Sequence, residues 1–348
     1  MQTPEDIQKI LSVQTEILDT ALENFFTTTP ALPLYDHLAY FMGFRDEALK
    51  PAKIYGGKRF RSGLMLLLGE YYGARDIVLP YALALELYHN FTLIHDDVVD
   101  RDTHRRGRPT VWQLFGTDNA INDGDAQLLL VSELLAKAAH ESGSANGVAA
   151  QRYVLQQFRT VVEGQYLDFE LTKAKLGDKG INKSSYLEMV RCKTAELIVA
   201  AAEGTGIITE QPEAECAELA RYARSLGIAY QICDDVVSIW ATSEATGKRS
   251  YGDIKERKKT LPVLHAHHTL PEPQRARLVA LYADDVEMSD ETCEEIIALL
   301  DEVDTKSAME RVIAEHATNA KAAAQSLSLV ESHQETLCVL VDSLLPKV

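Results

Sequence analysis

The chain has 348 residues, of which 46% are hydrophobic and 25% charged, with a formal net charge of -17. That is the composition of a soluble globular protein with ample apolar material for a core. So acidic a balance argues against general nucleic-acid binding, which needs a basic face.

The N-terminus, Met1 to Asp6, is acidic and has no basic region followed by an apolar core, so no signal peptide is expected. No uninterrupted apolar run reaches about 18 residues, so no transmembrane segment is expected. Cys192, Cys216, Cys233, Cys293 and Cys338 are odd in number, widely spaced and without a Cys-x-x-Cys pair. That fits reduced thiols in a cytoplasmic protein rather than a disulfide framework or a zinc site.

In chain order, amphipathic periodicity predicts helices near 5–27, 31–49, 59–73, 80–102, 117–140, 146–174, 183–203, 212–240, 259–268, 272–284, 288–301 and 304–346, the last broken at least once. Turn residues fall between them, at Thr27 to Pro30, Gly56-Gly57, Gly73, Gly107 to Pro109, Gly143, Gly177 to Gly180, Gly204 to Gly206 and Gly247. Strand signals are nearly absent. Stretches such as Leu64 to Leu68 and Leu197 to Ala202 are apolar on most sides and predict buried central helices. The expectation is one all-α domain over residues 1–348, a helical bundle with buried central helices.

The helix predicted near 80–102 ends in Asp96, Asp97 and Asp100, and Arg101, Arg105, Arg106 and Arg108 follow at once. Residues four apart share a helix face, so Asp96 and Asp100 point the same way with Asp97 to one side. Crowded carboxylates need compensating cations. Mg2+ is held by one or two carboxylates plus substrate phosphates, and arginine suits phosphate. Alone, this is also the pattern of a solvated helix end with internal ion pairs. A second acidic pair, Asp234-Asp235, closes another apolar helical run, with Lys248, Lys255, Lys258 and Lys259 downstream. Two such helix ends could face one cavity and hold a metal-bridged polyphosphate.

Gly56-Gly57-Lys58-Arg59-Phe60-Arg61, Leu93 to Asp100, Arg105 to Thr110, Gly164-Gln165, Lys193-Thr194, Gln231 with Asp234-Asp235, and Lys258 to Pro262 stand in this order over about residues 50 to 265. Together they resemble the trans-isoprenyl diphosphate synthases (polyprenyl synthetase family), which build geranyl, farnesyl and geranylgeranyl diphosphates. The resemblance implies a Mg2+-dependent prenyltransferase that condenses isopentenyl diphosphate with an allylic diphosphate, in an isoprenoid-synthase helical bundle. Within it, Asp96 and Asp100 would ligate two Mg2+ ions and Asp234 a third, with Asp97 and Asp235 acting through water. Arg105, Lys193 and Lys248 would hold the allylic diphosphate, and Lys58, Arg61, His89 and Arg106 the isopentenyl diphosphate. Thr194 and Gln231 would line the reacting carbons, and Lys258 a closing loop.

Two departures stand out. Ser238 occupies a position where the family often carries Asp, removing a carboxylate that would orient water. Arg257 replaces a frequent Gly before Lys258.

The resemblance also bears on product length. If the diphosphate lies beyond Asp96, the tail runs back along the helix, about 5.4 Å per turn. Phe91, five residues before Asp96, stands in its path, Thr92 is small enough to pass, and Tyr88 lies one turn deeper. That pattern is similar to geranylgeranyl synthases (C20); plain core packing is the other reading of Phe91. The family implies a homodimer. A terpene cyclase is disfavoured because it needs no second diphosphate site, and a non-catalytic partner subunit because Asp96, Asp97, Asp100, Asp234 and Asp235 all persist.

Overall fold

A computed structural model describes residues 3–54, 57, 59–142, 145–240, 251–283 and 288–345. The protein is all-α. Its helices are α1 (Pro4–Thr27), α2 (Pro33–Met42), α3 (Phe60–Tyr71), α4 (Arg75–Val99), α5 (Val111–Phe115), α6 (Thr117–Glu141), α7 (Ala145–Lys173) and α8 (Lys183–Val190). A π-helical turn (Arg191–Ala195) leads into α9 (Glu196–Ile208), followed by α10 (Glu213–Trp240), α11 (Gly252–Lys255), α12 (Leu261–Thr269), α13 (Glu272–Ala283), α14 (Asp290–Asp301), α15 (Thr305–Ser326) and α16 (Glu331–Leu344).

Contacts group these elements into two compact units. The first comprises Glu5–Gln156 with Ala200–Cys216; the second comprises Met1–Pro4, Gln157–Val199 and Ala217–Val348. In the first, α4 packs against α3 and α6. Its apolar face explains this: Tyr81, Leu85, Leu87 and Tyr88 are each at most 1% exposed. α4 is also long and apolar enough to cross a membrane, yet 67% of that apolar window is buried by the fold. In the second unit, Tyr186, Ile232, Val236, Leu261, Ile296 and Leu300 belong to one buried cluster.

Three local features depart from the expected boundaries. The helix expected over 31–49 stops at Met42 because Gly43 takes a left-handed conformation (φ 93°), its N–H bonding back to Ala39 and Tyr40 carbonyls. The expected breaker at Gly204 to Gly206 lies inside α9, where Thr205 is fully buried and its hydroxyl bonds the Ala201 carbonyl at 2.7 Å. Tertiary burial overrides the weak helix propensity of glycine there. The segment after α4 forms a two-stranded hairpin, His104–Arg105 against Arg108–Pro109. Its central residues, Arg106 and Gly107, have φ of 53° and 75°, the two left-handed positions of a tight hairpin turn.

Candidate active site

In the first unit the site grows from the C-terminal end of α4. The last turn points Asp96 and Asp100 outward, half-buried and exposed respectively, while Asp97 turns inward and is 1% exposed. Arg105, on the hairpin, donates from Nε to Asp97 Oδ1 at 2.6 Å. Burial still pushes the Asp97 carboxyl up to about 6 against the pull of Arg105. Its other oxygen, Oδ2, is buried with no hydrogen-bond partner.

Two turns earlier on α4, His89 Nε2 stands 3.3 Å from Nη1 of Arg61, on the first turn of α3. Arginine only donates, so Nε2 accepts and the ring proton sits on Nδ1. Burial, together with Arg61, pushes His89 down to about 3, so the ring is neutral. Gly57, at φ 120°, lies so close to the hairpin that a Cβ there would fall 2.9 Å from the Arg106 guanidinium carbon. The positive φ, rather than the contact with a flexible side chain, is what favours glycine there. Arg61, His89 and Arg106 thus form a cationic corner with a neutral hydrogen-bonding ring. Arg105, Arg106 and Arg108 also line a pocket with Tyr40, Phe41 and Ile54. Arg108 stacks over the Tyr40 ring at 4.0 Å and bonds the Tyr40 and Arg45 carbonyls, a structural use of that arginine.

Along the same helix Phe91 is 7% and Tyr88 1% exposed, with ring centroids 5.4 Å apart; Phe91 also meets His95 edge-on at 5.0 Å. The Thr92 hydroxyl bonds the His89 carbonyl at 2.7 Å.

In the second unit the site is a cleft lined by Asp168, Lys193, Gln231, Asp234, Asp235, Asp253, Lys258 and Lys259, among others. Lys193 and Thr194 ride on the π-helical turn, whose extra residue per turn re-aims side chains. Two glycines make that turn possible. A Cβ at Gly164 would lie 2.3 Å from the Lys193 backbone nitrogen, and one at Gly227 would lie 2.6 Å from Ala195 Cα. Gln231 is then fixed at both ends: its amide oxygen accepts from the Thr194 hydroxyl at 2.8 Å, and its amide nitrogen donates to Asp235 at 2.9 Å. Asp235 also accepts from Tyr186, and burial, with Asp253 nearby, raises it to about 8. Asp234, one residue earlier, is half-buried at the cleft.

Each lysine of the cleft has an anchor. Lys193 Nζ contacts Asp168 at 2.5 Å, Lys258 contacts Glu256 at 2.7 Å and Asp253 at 3.4 Å, and Lys259 bonds the Thr172 carbonyl at 2.7 Å. Asp168, Asp253 and Tyr186 were not singled out from sequence. Asp168 follows Gly164 by four residues, so the helical face of the Gly164-Gln165 pair carried a signal for it. Asp253 bears on the Ser238 departure: its backbone N–H donates to Ser238 Oγ at 3.3 Å, and its side chain lines the same cleft. Lys58 and Lys248 lie outside the described residues.

The donor set fits Mg2+. The oxygens are hard carboxylates, and Asp97 offers a buried oxygen with an unmet bond. Among the described residues no group of three or more such side chains converges to hold an ion unaided.

The fold is shared with solved isoprenoid-chain synthases. The polyprenyl synthetase from Streptomyces coelicolor superposes with a TM-score of 0.86 at 28% identity, over 98% of this chain and 100% of that one. A geranylgeranyl pyrophosphate synthetase from Pyrococcus horikoshii gives 0.84 at 26% identity, over 99% of both. The sequence model of the polyprenyl synthetase family matches residues 46–300, and the chain belongs to that family. Among its relatives, the (2E,6E)-farnesyl diphosphate synthase of Mycobacterium tuberculosis is 38% identical over 227 residues, which is 65% of this chain and 61% of that protein. The geranylgeranyl diphosphate synthase of Methanosarcina mazei is 37% identical over 227 residues, 64% of this chain and 68% of its own.

Proposed function

We propose that the protein is a Mg2+-dependent trans-prenyltransferase that adds isopentenyl diphosphate head-to-tail to an allylic diphosphate, with geranylgeranyl diphosphate (C20) as its product. The observation that carries this reading is the Arg61–His89–Arg106 corner in the unit whose α4 runs into Asp96, Asp97 and Asp100, in a chain of the polyprenyl synthetase family. An enzyme acting on one diphosphate has no use for that corner. Here it receives isopentenyl diphosphate, together with Lys58. Arg105, Lys193 and Lys248 hold the allylic diphosphate.

Asp96, Asp100 and Asp234 would hold Mg2+, three ions in all, and the metal when bound would supply Lewis-acid stabilisation of the departing diphosphate. Asp97 and Asp235 act from behind, and Asp253 supplies the carboxylate that Ser238 lacks, orienting bound water. In the reaction the allylic C–O bond breaks and its electron pair leaves on diphosphate. The double bond of isopentenyl diphosphate then attacks the allylic carbon, and loss of a proton restores an allylic double bond. The Gln231 amide oxygen, aimed by its bonds to Thr194 and Asp235, stabilises the cation by its dipole without trapping it. Lys258 belongs to the loop that closes over the substrates.

Phe91 ends the product's path, with Tyr88 behind it. The farnesyl synthase relatives favour C15 as the second reading. A reducing cytoplasmic setting agrees with five free cysteines, and a homodimer is the proposed assembly. Asp96→Ala tests the assignment: turnover falls by roughly a thousandfold while helical circular dichroism is retained. An Asp96→Ala protein with full activity would remove the metal role.

A further inference from the structure

We propose that a buried Arg59–Asp19–Glu86 cluster is the positioning element of the isopentenyl diphosphate corner, which makes α1 part of the binding machinery although it lies outside the residues matched by the family's model. The inference rests on the reading of Arg61, His89 and Arg106 given above. Arg59 donates from Nε to Asp19 of α1 at 3.1 Å, from Nη1 to Glu86 of α4 at 2.8 Å, and from Nη2 to the Met42 carbonyl of α2 at 3.0 Å. The side chains of Arg59, Glu86 and Asp19 are 2%, 3% and 10% exposed. The second oxygen of Glu86 accepts from Ser62 at 2.8 Å, and Asn90 donates to the first at 2.8 Å.

The placement of this cluster gives it a role beyond neutralising buried charge. Arg59 caps α3 in a left-handed conformation (φ 45°), a position where glycine or asparagine is the usual occupant. A long side chain kept there at a cost in strain points to a job for that side chain. Two residues on is Arg61, and three residues beyond Glu86 is His89, a spacing that puts Glu86 and His89 on one face of α4. The guanidinium fork therefore ties the first turn of α3, which carries Arg61, to the turn of α4 that carries His89. The 3.3 Å contact between those two residues depends on that register. Asp19 fixes the third side of the fork, so α1 sets its angle. The charges of Arg59 and Glu86 also reach Arg106 in the corner, and that of Glu86 reaches His89.

The test uses the full chain with Asp19→Asn, which keeps the Arg59–Glu86 pair and so preserves folding better than removing the arginine. Arg59→Lys, which keeps the charge but loses the fork, is the second variant. Glu16→Gln, at an exposed position of α1, is the control. Calorimetric titration with isopentenyl diphosphate, KM for both substrates, kcat and Tm are measured on each. We expect Asp19→Asn and Arg59→Lys to bind isopentenyl diphosphate about tenfold more weakly, as displaced anchoring groups do. The KM for the allylic diphosphate should stay within about twofold, and the control should match wild type. A folded Asp19→Asn protein with wild-type affinity overturns the proposal and leaves the site reading standing. Equal weakening of both substrates also overturns it, because the cluster would then serve stability alone. Wild-type protein that binds no isopentenyl diphosphate removes the site reading and this proposal together.

Discussion

Glu86 in the first unit and Asp235 in the second are both almost fully removed from water, 3% and 4% exposed, yet they settle in opposite states. Burial alone would raise Glu86, but Arg59, with His89 and Ser62 adding to it, holds the carboxyl at about 2. Burial raises Asp235 to about 8, with Asp253 adding to the rise; hydrogen bonds from Tyr186 and Gln231 only partly oppose it. On the proposed reading the first region has its cations in place for an anion, and the carboxylates of the second would hold a cation. The contrast lies in the partners: Glu86 is ionised because a buried guanidinium pairs with it, whereas Asp235 keeps its proton beside Asp253 despite the hydrogen bonds from Tyr186 and Gln231.

The comparison is sharpest under substitution. Asp234→Ala should lower kcat by roughly a hundred- to a thousandfold, while Arg106→Gln should chiefly raise the KM for isopentenyl diphosphate, by roughly tenfold or more. Steady-state kinetics with each substrate varied in turn would check this. If both variants fell in kcat alone, the division of labour between the regions would be wrong.

A smaller effect follows from the π-helical turn. At Gly227 an added Cβ meets backbone and Cβ atoms of Ala195, neither of which can swing away. Gly227→Ala should cost on the order of 1–3 kcal/mol by overpacking, seen as a lower Tm, and displace Lys193 and Thr194 enough to reduce turnover. A variant with wild-type Tm and rate would show that the turn is not held by this approach.

A further effect is in pH dependence, where the two regions have opposite signs. His89 is depressed to about 3 from 6.5, so the unfolded chain binds the proton first. Its contribution to stability is complete above about pH 6.5 and is lost as pH falls toward 3. Asp235 is raised from 3.8 to about 8, so the metal-free folded state binds the proton first; that contribution is complete below about pH 4 and is lost as pH rises through 8. Denaturation of the metal-free protein across this range should show His89→Gln flattening the acid side and Asp235→Asn the alkaline side. Unaltered profiles in both variants would contradict these protonation states.

Much of this architecture was legible in the residues. The periodicity ending at Asp96, the acidic pair at Asp234-Asp235 and the break within 304–346 all correspond to elements now seen. What escaped depends on pairs distant in sequence or on single φ values. Gly43 stops α2 through a left-handed cap, and Arg106-Gly107 makes a hairpin turn without the usual Asn-Gly or Asp-Gly pair. Asp19 reads as one more polar position on an amphipathic helix until Arg59, 40 residues away, is found against it. Asp253 becomes visible only when Ser238, 15 residues earlier, receives its N–H.

The most direct test of the whole account is the reaction itself. The purified protein is incubated with Mg2+, labelled isopentenyl diphosphate and, separately, dimethylallyl, geranyl and farnesyl diphosphates, with an EDTA control, and the dephosphorylated products are separated by length. The account predicts metal-dependent incorporation ending at C20, with longer products from Phe91→Ala. No incorporation with any primer, or a cyclic product released from the allylic substrate alone, would contradict it.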